Sequence, residues 1–91
     1  MGMIINKKFN AKIQKVDSKG GWCYVVWPES NAFFGTNGAV KVKGRIDSYP
    51  FQSSFMAMGD GVQMLPVKAG IRKAIGKDTG DSVTVLLEER L

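Results

Sequence analysis

Histidine is absent and cysteine occurs once, so a His/Cys zinc site, a Cys-His pair and a Ser-His pair are all excluded. The lone Cys23 cannot close an intramolecular disulfide, which fits a reducing compartment. Flanked by aromatic residues and without a nearby cation in sequence, it reads as a buried structural thiol. No hydrophobic run approaches the roughly 20 residues of a membrane span, and Met1 to Asn6 shows neither an apolar signal region nor a cleavage site. A cytoplasmic protein without membrane contact is expected. Acidic residues number only eight, and the acid-base candidates among them are Asp47, Asp60, Asp78, Asp81, Glu88 and Glu89. Four of these fall in expected turns, where aspartate serves backbone hydrogen bonding. A small barrel also has little room for two carboxylates facing each other across the ~5 to 9.5 Å that glycoside hydrolysis requires. Neither catalysis nor a cofactor is therefore expected. Gly59-Asp-Gly61 is not a phosphate loop, because it joins two strands instead of leading a strand into a helix.

What the chain does have is 44% hydrophobic residues in a length of 91, enough for one small domain spanning 1–91. Such a chain buries only about 60 to 65% of its unfolded surface, so modest stability or weak self-association follows. The net charge of +5 points either to good solvation or to an anionic partner.

Residues 1 to 8 show no clear period. Phe9, Ala11 and Ile13 then alternate with polar neighbours as on a half-buried strand, and Asp17 to Gly21 reads as a turn. Trp22-Cys-Tyr-Val-Val-Trp27 is apolar on both faces and reads as a central strand ending at Pro28. Ser30 or Asn31 could cap one helical turn through Phe33 and Phe34, closed by Gly35. Val40, Val42 and Ile46 alternate with Lys41, Lys43 and Arg45, which predicts a basic stripe about 13 Å long at ~3.3 Å per residue. Asp47 to Pro50 reads as a turn and Phe51 to Ala57 as a strand. Gly59-Asp-Gly61 carries the signature of a hairpin turn returning through Val62 to Pro66. Val67, Ile71 and Ile75 mark one face of a helix of about two and a half turns ending at Gly76. Gly80-Asp81 then turns the chain into a strand with Val83, Val85 and Leu87 on its buried face.

The two halves share a plan. A strand, a glycine turn, a hydrophobic strand ending in proline, a helix, two glycines and Val-x-Val appear once in about 9–46 and again in about 51–89. This predicts an internal duplication and a closed or partly closed barrel with pseudo-twofold symmetry.

The run from Leu65-Pro-Val-Lys68 through Ile71-Arg-Lys73 to Gly80-Asp81 and Val85 is similar to the swapped-hairpin motif of AbrB/MazE-like proteins. Taken whole, the chain resembles an uncharacterised bacterial and archaeal family, a domain of unknown function that also occurs fused to a bacteriocin-protection or OmpD-associated type domain. The matching residues include Phe9-x-Ala11-Lys-Ile13, Gly20-Gly-Trp22, Pro28, Phe34-Gly35, Val40-Lys-Val-Lys-Gly44, Pro50-Phe51 and Gly59-Asp-Gly61. The resemblance implies a mainly β fold, a small double-split β-barrel of about six strands with one or two short capping helices, and no established activity. Two positions depart from the family pattern: Ser48-Tyr49 stands where a glycine is expected, and Gln63 where a histidine or aromatic residue is common.

Two candidate surfaces follow. Lys41, Lys43 and Arg45 on a strand, with Lys68, Arg72, Lys73 and Lys77 on the helix, could track phosphates. Trp22, Tyr24, Trp27, Met56, Met58 and Met64 could form an apolar patch for a ligand or partner. The expected function is a non-catalytic binding or interaction module, monomeric or weakly dimeric. The alternative is a nucleic-acid-binding protein of AbrB-like architecture.

Overall fold

Strict alternation makes the segment at 40–46 a strand with one wet face: Val40, Val42, Gly44 and Ile46 are buried while Lys41, Lys43 and Arg45 face solvent. In the computed structural model, which describes residues 3–16, 22–36, 38–57 and 63–91, this segment lies in the middle of a sheet. The strands are β1 (Met3–Lys12), β2 (Gln14–Lys15), β3 (Cys23–Val26), β4 (Val40–Ile46), β5 (Tyr49–Ala57), β6 (Gln63–Pro66) and β7 (Ser82–Arg90). Two short helices, α1 (Ser30–Phe34) and α2 (Ala69–Ile75), follow β3 and β6. All pairing is antiparallel, in the order β1-β7-β4-β5-β6-β3-β2. Seven strands thus replace the six expected.

The extra strand arises from a bend. β1 and β2 are separated only by Ile13 yet stand at opposite ends of the pairing order, so the chain passes from one sheet edge to the other through a single residue. Ile13 is fully buried there, its N–H donating to the Asp81 carbonyl at 2.9 Å and its carbonyl accepting from Gly80 N–H at 2.8 Å. β5 bends likewise, pairing with β4 through residues 49–55 and with β6 through 56–57. The sheet consequently curls like an open barrel around a core that includes Val25, Val42, Ile46, Phe55, Leu65 and Val85. Each fully buried side chain of this kind contributes about 1.5 to 3 kcal/mol.

Several boundaries differ from expectation for identifiable reasons. β1 begins at Met3 because a register shift between Ile4 and Lys7, with Asn6 at φ 45°, breaks the alternation without ending the strand. The expected turn at 47–50 shrinks to Asp47-Ser48, with Tyr49 paired to Ile46 and Pro50 to Arg45. Both turn residues have positive φ, 48° and 71°, as a two-residue hairpin turn demands even without glycine. Val67 is not helical. It is buried before the helix starts, its N–H donating to the Cys23 carbonyl at 2.9 Å, and Lys68 is extended at φ −64°, ψ 153°. Ile71 and Ile75 do share the inward face of α2 and pack on the core. Gly35 and Gly76 close the two helices at φ 71° and 69°. The expected turns at Asp17–Gly21 and Gly59–Gly61, and Val62, lie outside the described residues.

Gly44 is required for another reason. β7 shifts register against β4 at this point, and a Cβ on Gly44 would overlap the Leu86 carbonyl oxygen and lie 3.0 Å from the Glu88 nitrogen.

Candidate functional site

The cations that could track phosphates fall into two groups, with an acid at the end of the first. On β4, Lys43 pairs with Glu89 at 3.1 Å and Arg45 with Glu88 at 3.6 Å, both partners lying on β7. On and after α2, Arg72 donates to Asp78 at 2.9 Å and Lys77 to Asp47 at 2.7 Å. Asp47 follows β4 in the turn, so the carboxylate that pairs with Lys77 lies two residues beyond Arg45, at the end of the basic stripe. Lys41, Lys68 and Lys73 have no carboxylate partner among the described residues.

The carboxylates are committed to structure. Burial raises the Asp47 pKa, but the Lys77 ammonium and the Thr84 N–H outweigh it and hold the carboxyl below its ordinary range. Asp78 is likewise lowered, chiefly by the Thr79 N–H and then by Arg72. Asp81 accepts the Asp78 N–H at 2.9 Å. Of the acid-base candidates, Asp60 lies outside the described residues. No three His, Cys, Asp or Glu side chains come together to hold a metal ion among the described residues.

The apolar candidates divide as well. Trp22, Tyr24, Met56 and Met64 lie together: Met56 opposes Met64, Trp22 and Tyr24 meet edge to face at 5.8 Å, and the Tyr24 hydroxyl donates to Gln14 at 3.4 Å. Trp22 and Met56 line a shallow, almost wholly apolar groove of about 210 Å³ with Pro66 and Val67. Met58 lies outside the described residues. Trp27 does not belong to this patch. One residue past β3 and in phase with Cys23 and Val25, it turns to the inner side, where it is only 4% exposed. Gln63 is buried too, its amide donating to the Gly38 carbonyl at 2.6 Å, which gives it a structural role at the turn before β4. Cys23 is buried as expected, with its sulfur 3.5 Å from the Thr79 hydroxyl.

A second, larger depression surrounds Trp27. Between β1 and α1 lies an open cleft of about 710 Å³, lined by Lys7, Lys8, Phe9 and Asn10 on one side and by Trp27, Pro28, Glu29, Ala32 and Phe33 on the other. Its aromatic wall is built stepwise. Phe9 stacks on Trp27 at 5.0 Å with planes 4° apart, Phe33 tilts against Trp27 at 5.2 Å, and Phe34 meets Phe33 edge to face at 5.1 Å. Phe34 and Trp27 continue into the core through Phe55. Phe33 remains 43% exposed, with the Lys7 ammonium 6.0 Å from its ring centroid. Of the expected site residues only Trp27 contributes. Lys7 and Lys8 fall in the stretch without period, and the sole sequence signal for the wall is the Phe33-Phe34 doublet beside a proline-ended strand. Among the described residues no helix is long and apolar enough to cross a membrane.

A search of curated proteins returns no match. The pattern of a family described as a domain of unknown function, DUF1905, matches residues 9–87, which takes in β2 to β6 and both helices whole, the end of β1 and most of β7. The chain belongs to that DUF1905 family.

Proposed function

We propose that this protein is a non-catalytic binding module that seats a ligand in the cleft between β1 and α1. The observation that carries this reading is the cleft's construction: an exposed phenylalanine packed against core aromatics, with the Lys7 ammonium 6.0 Å over its ring, lines an open cleft of about 710 Å³, a volume in the range of small-molecule sites. The absence of catalysis is supported by the carboxylates: Asp47, Asp78, Asp81, Glu88 and Glu89 are engaged in hydrogen bonds or ion pairs away from the cleft, and Glu29 lines it with no second carboxylate beside it among the described residues. A thermal-shift screen of small aromatic and anionic compounds, repeated with Phe33→Ala, tests the reading. Stabilisation that depends on Phe33 supports it, and a panel with no Phe33-dependent member refutes it.

The architecture we infer is a double-split barrel made of two equivalent β-β-α-β units. The pairings support it: β1 with β7 corresponds to β4 with β5, β2 with β3 corresponds to β5 with β6, and β3-β6 and β4-β7 fall on a twofold axis. The equivalence that these pairings imply sets Phe9 against Ser53, since both oppose the second valine of a Val-x-Val pair, instead of against Phe51. A chain that contains both units can close alone, and a monomer or weak homodimer in the cytoplasm is the expected state.

A nucleic-acid role of AbrB-like kind is the second reading. It is favoured by that twofold plan and by Lys41, Lys68 and Lys73, which are without carboxylate partners among the described residues. Mobility shifts with duplex and single-stranded DNA and RNA at ~50 mM salt decide it: binding that falls steeply as salt rises supports the reading, and no shift removes it.

A further inference from the structure

We infer that the β1-α1 cleft selects a small flat aromatic molecule bearing one anionic group. This rests on the binding reading above and names the class of ligand. The flat part of the recognition is set by Phe33. An exposed phenylalanine on a single-turn helix would ordinarily sample several rotamers, but here Trp27 and Phe34 hold two sides of the ring at 5.2 and 5.1 Å. A ring stacking on it therefore meets a surface already ordered, which lowers the entropic cost of binding. Trp27 is itself fixed from behind by Phe9 and Phe55, so the wall is continuous with the core.

The anionic part is set first by Lys7, on the same face of β1 as Phe9, and then by Lys8, which lines the cleft from the other face of the edge strand and also borders a depression with Arg45 and Thr84. Unlike Lys43, Arg45, Arg72 and Lys77, neither has a carboxylate partner among the described residues. Lys7 is already over the Phe33 ring at 6.0 Å, so an anion attached to a stacked ring would come within reach of its ammonium.

Glu29 sets the limit on charge. With two ammonium groups and this one carboxylate, the lining carries a net charge of +1. That suits a single phosphate or carboxylate and disfavours a polyanionic strand, whose following phosphates would meet Glu29.

Two matched probe pairs test the inference by calorimetric titration of the whole protein at low salt: AMP against adenosine, and 2-naphthoate against 2-naphthamide. The expected result is a preference of about fivefold or more for the anionic member of at least one pair, the range that two exposed ion pairs provide. In Lys7→Gln/Lys8→Gln the preference should fall to within about twofold, in Glu29→Gln it should rise, and Phe33→Ala should weaken both members of the pair. Circular dichroism of each variant confirms that the fold persists. Preference in the AMP pair alone assigns a nucleotide, and in the naphthoate pair alone an aromatic acid. Equal affinity within both pairs, or a preference untouched by the lysine substitutions, overturns the inference while leaving a neutral ligand in the cleft. Failure of all four probes overturns it as well, and the binding reading then stands or falls on the Phe33-dependent thermal-shift screen. Tighter, steeply salt-dependent binding of an oligonucleotide than of AMP would also overturn it, in favour of the nucleic-acid reading.

Discussion

Phe9 and Trp27 stack face to face, 5.0 Å apart with planes inclined by only 4°. One ring comes from β1 and the other from the residue just after β3, so the pair fastens the first strand to the centre of the molecule and lines the cleft. Phe9 is half-buried, so Phe9→Ala removes part of the burial of a full core phenylalanine together with a stacking term. Urea unfolding should show a loss of about 2 to 3 kcal/mol. The loss should be accompanied by a red shift of tryptophan emission as Trp27 gains water.

The same substitution should have opposite signs at two glycines. At Gly44 a methyl group would overlap the Leu86 carbonyl, and neither strand can retreat because β4 is paired on both sides. Gly44→Ala is expected to cost on the order of 3 kcal/mol or more, or to abolish cooperative unfolding. Gly70 lies in α2, where a methyl group would project into open space with nothing within 4 Å. Gly70→Ala should stabilise by about 0.5 to 1 kcal/mol in the same assay.

These two glycines also mark how far the fold was legible. The alternation of β4 and β7, the paired faces of Ile71 and Ile75, and the closing roles of Gly35 and Gly76 all follow from local rules of periodicity and helix termination. Gly44 was visible only as an interruption; its reason lies in β7, more than 40 residues away in sequence. β1 was cut short because Asn6 adopts a positive φ inside the strand. The cleft was illegible for a similar reason. Lys7, Phe9 and Phe33 are brought together by the route of β1 past α1, and no spacing within either segment encodes that meeting.

Ser48 occupies the left-handed region at φ 71°, where a side chain is strained and glycine is not. Ser48→Gly should stabilise the β4-β5 hairpin by about 1 kcal/mol, offset in part by the greater freedom of glycine in the unfolded chain. A rise in the urea midpoint at unchanged slope is the expected observation. A fall would mean that the Ser48 side chain contributes more than its backbone costs.

Asp47 joins three elements, accepting from the Thr84 N–H at 2.8 Å and from Lys77 at 2.7 Å while its own N–H donates to the Thr84 carbonyl at 2.9 Å. Because the folded carboxyl titrates below the ordinary 3.8, its contribution is full above that value and disappears as pH falls through the lower folded value. Asp47→Asn keeps the turn geometry and the acceptor for Thr84 but loses the ion pair. The variant should be less stable than the parent at neutral pH, with the difference closing below about pH 4. Asp78, also lowered, gives both proteins a remaining acid sensitivity in the same direction.

The seating of a ligand against Phe33 is tested most directly by amide and indole chemical-shift mapping during titration with AMP and with 2-naphthoate. The expected shifts cluster at Lys7 to Asn10, at Trp27 including its indole N–H, and at Glu29 to Phe33. Shifts confined to Lys41, Lys43 and Arg45 on β4 or to α2, or no saturable shifts with either compound, would contradict the account.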